Sequence, residues 1–277
     1  GVFGAVVMSL GIMYNHDNVG SVATVVLAAS STTAVLLFAW HAVTQHGRFV
    51  FRNLIDLLDV FAPLPSLQPT TNNLQPASSA KRVLVFNWRD TKHTFAGGAE
   101  VYVHEMAKRW VAAGNTVTIF CGNDGNNPRF ETVDGVHIIR RGGFYMVWFW
   151  AFVYYILRLR GKFDIILDSD SALPFFTPLF VREPVVGLVH HVHQEIFKKH
   201  LVWPAALLAR SIEKYFVPFV YRHTQLITVS ESTKQDMLAL GLTGSGIEVI
   251  NPGVDIAQLM PGEKDEHPLV VYVGRLQ

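Results

Sequence analysis

A glycine pair, Gly97-Gly98, followed by Ala99-Glu100, stands where a predicted strand, Val83 to Asn87, gives way through a short loop to a predicted helix. In α/β proteins this is where phosphorylated ligands are held. Paired glycines let the backbone approach a ligand and tolerate positive φ, and the helix behind them offers unpaired N–H groups and the positive end of its dipole. The same residues also suit a plain flexible turn, because neither GxGxxG nor P-loop spacing is present. Glu100 has two readings as well: a first-turn carboxylate favoured by the dipole, or a ligand contact.

A second group, His190-His191-Val192-His193-Gln194-Glu195, closes the predicted strand Val185 to Val189. Three histidines and a glutamate raise the question of a metal, yet adjacent histidines diverge on a continuing strand and no HExxH pattern is present. No metal is expected. A histidine at a strand end in a cleft can instead donate hydrogen bonds to hydroxyl or phosphate oxygens, or stabilise developing charge. Farther on, Val229-Ser230-Glu231-Ser232-Thr233-Lys234-Gln235-Asp236 reads as strand, cap and helix, with Ser232/Gln235 or Thr233/Asp236 as capping boxes. Cys121 is the single cysteine, so no internal disulfide can form, and its place at the end of an apolar run marks it as a core residue.

The elements that must position these residues follow from periodicity. Strands are expected at Val83 to Asn87, Thr116 to Cys121, Val136 to Arg140, Ile165 to Asp168, Val185 to Val189, Leu226 to Val229, Glu248 to Ile250 and Leu269 to Val273. Several are continuous apolar runs, as in parallel strands covered on both faces. Between the first two, Val103, Met106, Ala107, Trp110 and Val111 recur at helical spacing, Glu105 and Arg109 fall on the solvent side, and Gly114 ends the helix. Such a β-α-β unit requires a right-handed crossover and points to a Rossmann-like doubly wound parallel sheet. In such a sheet the Gly97-Gly98 loop lies beyond the carboxyl ends of the strands, where ligands bind.

Half of the 277 residues are hydrophobic and the mean hydropathy is +0.26, which suggests a membrane contribution. The net charge of +1 gives no electrostatic case for nucleic acid. Val19 to Val43 contains no Asp, Glu, Lys or Arg over 25 positions, long enough to cross a ~30 Å hydrocarbon core. Residues 1–43 are therefore expected to form a transmembrane hairpin whose first helix is truncated; a buried soluble hairpin is the other reading. Arg48 and Arg52 follow the span, and the positive-inside rule places everything after Val43 in the cytoplasm, as part of a multi-pass protein of the cell membrane.

Residues 44–61 read as an amphipathic juxtamembrane helix, with Arg48, Arg52, Asp56 and Asp59 on a polar side and Phe49, Phe51, Leu54, Ile55, Leu58 and Phe61 on the apolar one. It could lie on the membrane surface or pack on its own domain. Residues 62–80, with four prolines among Ser, Thr, Asn and Gln, read as a linker. Phe144 to Leu157 is an apolar, aromatic run followed by Arg158, Arg160 and Lys162, suited either to a lipid interface or to a buried helix. Trp203 to Tyr221 reads as a helix packed on the sheet.

Taken in order, the glycine pair after the first strand, the histidine closing a mid-domain strand, the VSxSTKxD helix start, Pro252-Gly253-Val254-Asp255 and Val273-Gly274-Arg275-Leu276 resemble retaining glycosyltransferases of the GT-B fold. The chain is similar to the large GT4 family, which uses nucleotide-diphosphate sugars. That resemblance covers Lys81 to Gln277 and implies the fold of a GT-B N-terminal, acceptor-side domain over residues 81–260; the transmembrane helices expected before it rest on composition alone. It implies that Gly97 and Gly98 face the cleft, and that His190, with His191 as the alternative, contacts the donor sugar and supports the transition state. It also implies that Ser230 lies near the cleft and that Arg275 binds the donor pyrophosphate, a role suited to a guanidinium fork. Pro252 stands where many relatives have Asn.

The family also carries a lysine shortly after its VGR motif and two glutamates separated by seven residues. No two glutamates here stand eight positions apart. Residues 261–277 read as an interdomain linker and the first strand of an incomplete donor domain, so the chain is expected to be a fragment that is inactive alone. The implied reaction is transfer of a sugar from a nucleotide-diphosphate sugar to a lipid-linked or glycan acceptor with retention, without a metal or other cofactor. The competing expectation is a non-catalytic, membrane-tethered Rossmann-like binding module.

Overall fold

The computed structural model describes residues 53, 55–62, 64, 80–171, 173–200 and 203–254. Both halves of the expected transmembrane hairpin, most of the linker, the strand at Leu269 to Val273 and Arg275 lie outside the described residues. Among the described residues, no helix is long and apolar enough to cross a membrane.

Among the described residues, eight strands form one sheet: β1 (Arg82–Phe86), β2 (Thr116–Cys121), β3 (Phe130–Val133), β4 (Val136–Arg140), β5 (Ile165–Asp170), β6 (Val185–Val189), β7 (Gln225–Thr228) and β8 (Gly246–Val249). Their spatial order is β3-β4-β2-β1-β5-β6-β7-β8, and every pair is parallel except β3 with β4. This is the doubly wound, Rossmann-like α/β arrangement expected. The strand absent from the sequence reading is β3, whose Phe-Glu-Thr-Val has no continuous apolar run. It pairs with β4 through a two-residue turn, Asp134-Gly135, both at positive φ (51° and 79°), the conformation that Asp-Gly favours in a hairpin.

Helices cover both faces. α1 (Gly98–Ala112) joins β1 to β2 and buries Val103, Ala107 and Val111 against Val83, Val85, Val117 and Ile119. α2 (Gly143–Tyr154), extended by a π turn at Tyr155–Leu159, joins β4 to β5 and buries Val147, Trp150, Ala151 and Tyr154 against Leu84, Phe86, Phe120 and Ile166. Since strand side chains alternate, Val83 and Val85 face one helix and Leu84 and Phe86 the other. The inner side of the apolar run Phe144 to Leu157 is therefore core, while Tyr145, Phe149, Phe152 and Leu157 remain exposed. α3 (Gln194–His200), α4 (Trp203–Ser211), a π turn (Ile212–Phe216) and α5 (Val217–Val220) join β6 to β7, and α6 (Glu231–Ala239) joins β7 to β8.

The segment before the sheet corrects an expectation. In the described part of the juxtamembrane helix, residues 55–61, the acidic side turns inward: Asp56 is fully buried, and Val60 joins the α2 core. Leu58 and Phe61 of the presumed packing face are exposed. The reason is electrostatic. Arg129 pairs with both Asp56 and Asp59, Arg141 lies 3.8 Å from Asp56, and the Gly142 N–H donates to Asp56 at 2.9 Å. Gly142 has φ +78°, and a Cβ there would meet the Met146 carbonyl oxygen at 2.5 Å, so this α2 cap requires glycine. Burial raises the Asp56 pKa, and the Gly142 bond and the two guanidinium groups partly offset that.

Removing one partner of a buried ion pair costs about 3–5 kcal/mol, whereas exposed pairs contribute at most about 1 kcal/mol. Asp56→Ala should therefore lower the unfolding free energy in urea by about 3–5 kcal/mol. Arg109→Ala, which breaks the exposed Glu105–Arg109 pair, should cost no more than about 1 kcal/mol. Equal losses at the two positions would show that residues 55–61 are not docked on α2.

Candidate active site

The sheet reverses direction at β1. β2 leads away to one side through α1, and β5 lies on the other, so the loops after β1 and β5 part and leave a crevice at the carboxyl edge. The β1 loop enters this crevice on a braced path. Asp90 pairs with the buried Arg140, and Asp124 accepts from the Thr94 N–H (3.0 Å) and hydroxyl (2.9 Å). Burial would raise the Asp124 pKa, but the hydrogen bonds it accepts outweigh that and hold it down at about 2.

Gly97 is the N-cap of α1, in extended conformation (φ −144°, ψ −160°), and Gly98 is the first helical residue. Neither needs positive φ. A Cβ on Gly98 would meet nothing within 4 Å. The fold itself therefore does not demand glycine at position 98, and its small size leaves open space beside the first N–H groups of α1. Glu100 is buried and both its oxygens are engaged: one accepts from Gly97 N–H (2.6 Å), the other from Arg89 Nε (2.9 Å). Within the protein, Glu100 holds the shape of the glycine loop.

His190 follows β6 directly and is 4% exposed. Three elements meet on it. Its Nε2 lies 3.2 Å from the Ser169 hydroxyl at the end of β5, and the Tyr102 ring of α1 stands edge-on to the imidazole at 5.8 Å. Its carbonyl accepts from the Thr233 hydroxyl of α6 at 3.4 Å. Tyr102 lies one helical turn beyond Gly98, so the glycine loop and His190 belong to one wall. Burial, with lesser contributions from His191 and His193, pulls the His190 pKa down to about 4. The imidazole is neutral at physiological pH, able to donate one hydrogen bond and accept another.

His191 is exposed, and its ring lies 5.0 Å from that of His193. His193 turns inward: its backbone N–H donates to Glu213 at 2.5 Å and its Nδ1 lies 3.5 Å from the same carboxylate oxygen. Burial lowers the His193 pKa, but the Glu213 carboxylate and the Asp170 charge outweigh it and raise the value overall. Among the described residues no three His, Cys, Asp or Glu side chains converge as a metal-ligand set.

Ser230 is the N-cap of α6, its hydroxyl accepting from the Thr233 N–H at 3.1 Å. The expected capping boxes at Ser232/Gln235 and Thr233/Asp236 are displaced because the helix already starts at Glu231. Ser230 touches the His190 wall through Thr233, whose hydroxyl lies 2.9 Å from its own. Tyr102, four residues beyond Gly98, reaches His190, and Thr233 links His190 to Ser230, while Arg275 lies outside the described residues. Tyr102, Ser169, Thr233 and Glu213 were not anticipated. Ser169 carries no local sign of this role: the register, in which its neighbour Asp170 pairs with Val189, is what brings it beside His190.

The two buried histidines titrate in opposite directions. The folded-state pKa of His190 lies below the unfolded value of about 6.5, so its contribution to stability is complete above about pH 6.5 and is lost as pH falls toward 4. His193 acts oppositely, with a contribution present at low pH and lost as pH rises through its folded value. Imidazole NMR titration should find His190 protonating near pH 4 and His193 above 6.5. His190→Asn should flatten part of the stability decline between these values; a His190 that titrates at or above 6.5 would contradict the burial described.

Comparison with known proteins gives three results. No curated protein sequence matches the chain. Among solved structures, sucrose-phosphate synthase from Thermosynechococcus elongatus is similar, with TM-score 0.49 and 14% identity over 64% of this chain and 49% of that one. The chain thus spans about half the length of that relative. Residues 96–258, which begin just before the glycine pair, run through His190 and end beyond β8, match Glycosyltransferase Family 4. That match covers more than half of the sequence and every described residue of the crevice wall from Gly97 to Ser230, and the chain belongs to glycosyltransferase family 4.

Proposed function

We propose that this chain is the acceptor-side part of a membrane-associated glycosyltransferase that moves a sugar from a nucleotide-diphosphate sugar to a lipid-linked or saccharide acceptor with retention at the anomeric carbon. The observation that carries the reading is the buried, neutral His190 on the same wall as the open N-terminus of α1, inside the span matched by the family. In the reaction, the bond between the anomeric carbon and the donor phosphate oxygen breaks, and the acceptor oxygen bonds to the same face of the sugar. The acceptor hydroxyl proton leaves with the departing diphosphate.

His190 serves by hydrogen bonding to a sugar hydroxyl rather than as a charged acid, because its environment disfavours the imidazolium. Ser169 and Tyr102 fix the ring. The first N–H groups of α1 face the space left by Gly98, where the helix dipole favours developing negative charge on phosphate. Arg275 is assigned to the donor pyrophosphate on the strength of the VGR motif, and no metal is invoked. Ser230, occupied as a helix cap, shapes the wall through Thr233. Val19 to Val43 is read as the membrane span of a multi-pass protein, with the sugar-transfer domain on the cytoplasmic side.

The test is transfer of labelled sugar by the full-length protein in membranes. His190→Ala should lower turnover about 100-fold, and His191→Ala less than about tenfold. Gly98→Ala should leave the unfolding midpoint unchanged or slightly raised, since alanine fits there and favours helix, while weakening donor binding. Full turnover in both His190→Ala and Gly98→Ala would remove these residues from the site, whereas no transfer by the unaltered full-length protein would remove the enzyme reading and favour a membrane-tethered binding module.

A further inference from the structure

The helical layer on the α2 side of the sheet carries an apolar outer surface. Phe61, Tyr145 and Trp203 are 77%, 78% and 78% exposed, and Leu58, Phe149 and Leu208 are exposed beside them in sequence. These residues belong to one side of the sheet. Leu84 and Ile166, beneath α2, are register partners; Ile166 is paired with Val185, and Val185 shares its side of β6 with Val189, which packs against Val217 of α5. Segment 175–180 bridges the two helical groups, with Phe180 edge-on to Phe152 and Phe176 against Phe216, each pair at 5.3 Å. α1, on the opposite side, has an ordinary hydrated surface on which Glu105 pairs with Lys108 and Arg109.

Charge accompanies the apolar groups. Lys198, Lys199, Lys214 and Arg222 are exposed along α3 to α5, whereas among the described residues 194–223 the one exposed acid is Glu195, Glu213 being buried. Lys214 and Arg222 sit over the Tyr215 and Phe219 rings at 5.3 and 4.5 Å, the pairing of cation and aromatic ring suited to a headgroup boundary. The chain path points the same way. Nine residues, ten Cα–Cα steps, separate Val43 from Asn53, a reach of at most about 35 Å, and Asn53 already accepts from Trp150 Nε1 of α2 at 2.7 Å. A membrane run ending at Val43 would therefore join the domain on this side of the sheet, within about 35 Å of the bilayer.

We infer that the α2–α5 layer lies flat on an anionic lipid bilayer, with its aromatic and aliphatic side chains at the headgroup boundary and its lysines and Arg222 on lipid phosphates. This rests on the proposed span at Val19 to Val43 and adds to it a defined docking face. The loop bearing His190 runs straight into α3 at Gln194, which hydrogen-bonds the Arg210 carbonyl and Glu213. A lipid-carried acceptor would reach the crevice along this layer.

Cys121 is fully buried, so single cysteines placed on the surface of the full chain report without background. Tyr145→Cys, Leu208→Cys and, as an α1 control, Lys108→Cys carry a fluorophore in phosphatidylcholine vesicles with and without phosphatidylglycerol. Nitroxide-labelled lipid should quench positions 145 and 208 several-fold more than 108 when phosphatidylglycerol is present. Combined Lys198→Glu, Lys199→Glu and Lys214→Glu should abolish the dependence on phosphatidylglycerol. Equal quenching at all three positions overturns the inference. Shielding of 145 and 208 from a water-soluble quencher without quenching by nitroxide lipid also overturns it, and assigns the face to a second copy or another segment of this chain. Alkaline carbonate extraction reads the span separately: release of the chain removes the span, while the quenching comparison still decides the docking face.

Discussion

Reversal of winding at β1 is the constraint from which the site follows. A right-handed crossover from β1 to β2 must place α1 on one face, and the return from β4 to β5 must place α2 on the other. With β1 flanked by β2 and β5, no connection crosses the carboxyl edge between them. The glycine loop, the end of β5 and the end of β6 then open toward the same crevice, although the glycine loop lies about 70 to 90 positions from the other two in sequence. Had the β1–β2 crossover run to the opposite face, Tyr102 could not reach His190.

Polar groups buried along this edge set the chemistry. His190 has a hydroxyl and an aromatic edge for neighbours and loses its proton readily, whereas His193 has Glu213 behind it and keeps its proton more strongly. The first is an uncharged hydrogen-bonding group at the crevice wall, the second an anchor for the loop. Glu213 accepts from the His193 backbone and the Gln194 amide, so a carboxylate on the π turn fixes the path of the chain leaving His190. At the other end of the domain, Asp56 plays the comparable part for residues 55–61 and Gly142.

Much of this was legible in the sequence, for a physical reason. Parallel strands covered on both faces are continuous apolar runs, so β1, β2, β4, β5 and β6 announce themselves, and strand ends with glycine or histidine mark the crevice. The strand β3 did not, since Phe-Glu-Thr-Val is a short edge strand with neither a continuous apolar run nor alternation, although Asp134-Gly135 was a usable turn signal. Periodicity grouped the polar and apolar residues of 55–61 but did not show which side is buried, because the deciding partners, Arg129 and Arg141, lie 70 or more positions away. Likewise, the capping boxes were expected at Ser232 or Thr233, two or three residues beyond the actual N-cap Ser230, and Glu213 carried no local sign of its hold on the His190 loop.

Tyr102 does more than frame an imidazole. Its hydroxyl donates to the Ile250 carbonyl at 3.0 Å, just beyond β8, while its ring rests on His190. A side chain bonded at one end to the outgoing polypeptide and packed at the other on the crevice histidine is a strut. Any swing of the chain beyond Ile250 must either break that hydrogen bond or load α1, and through it the glycine loop. Motion downstream of the sheet and geometry at the crevice are thereby mechanically joined through one phenol.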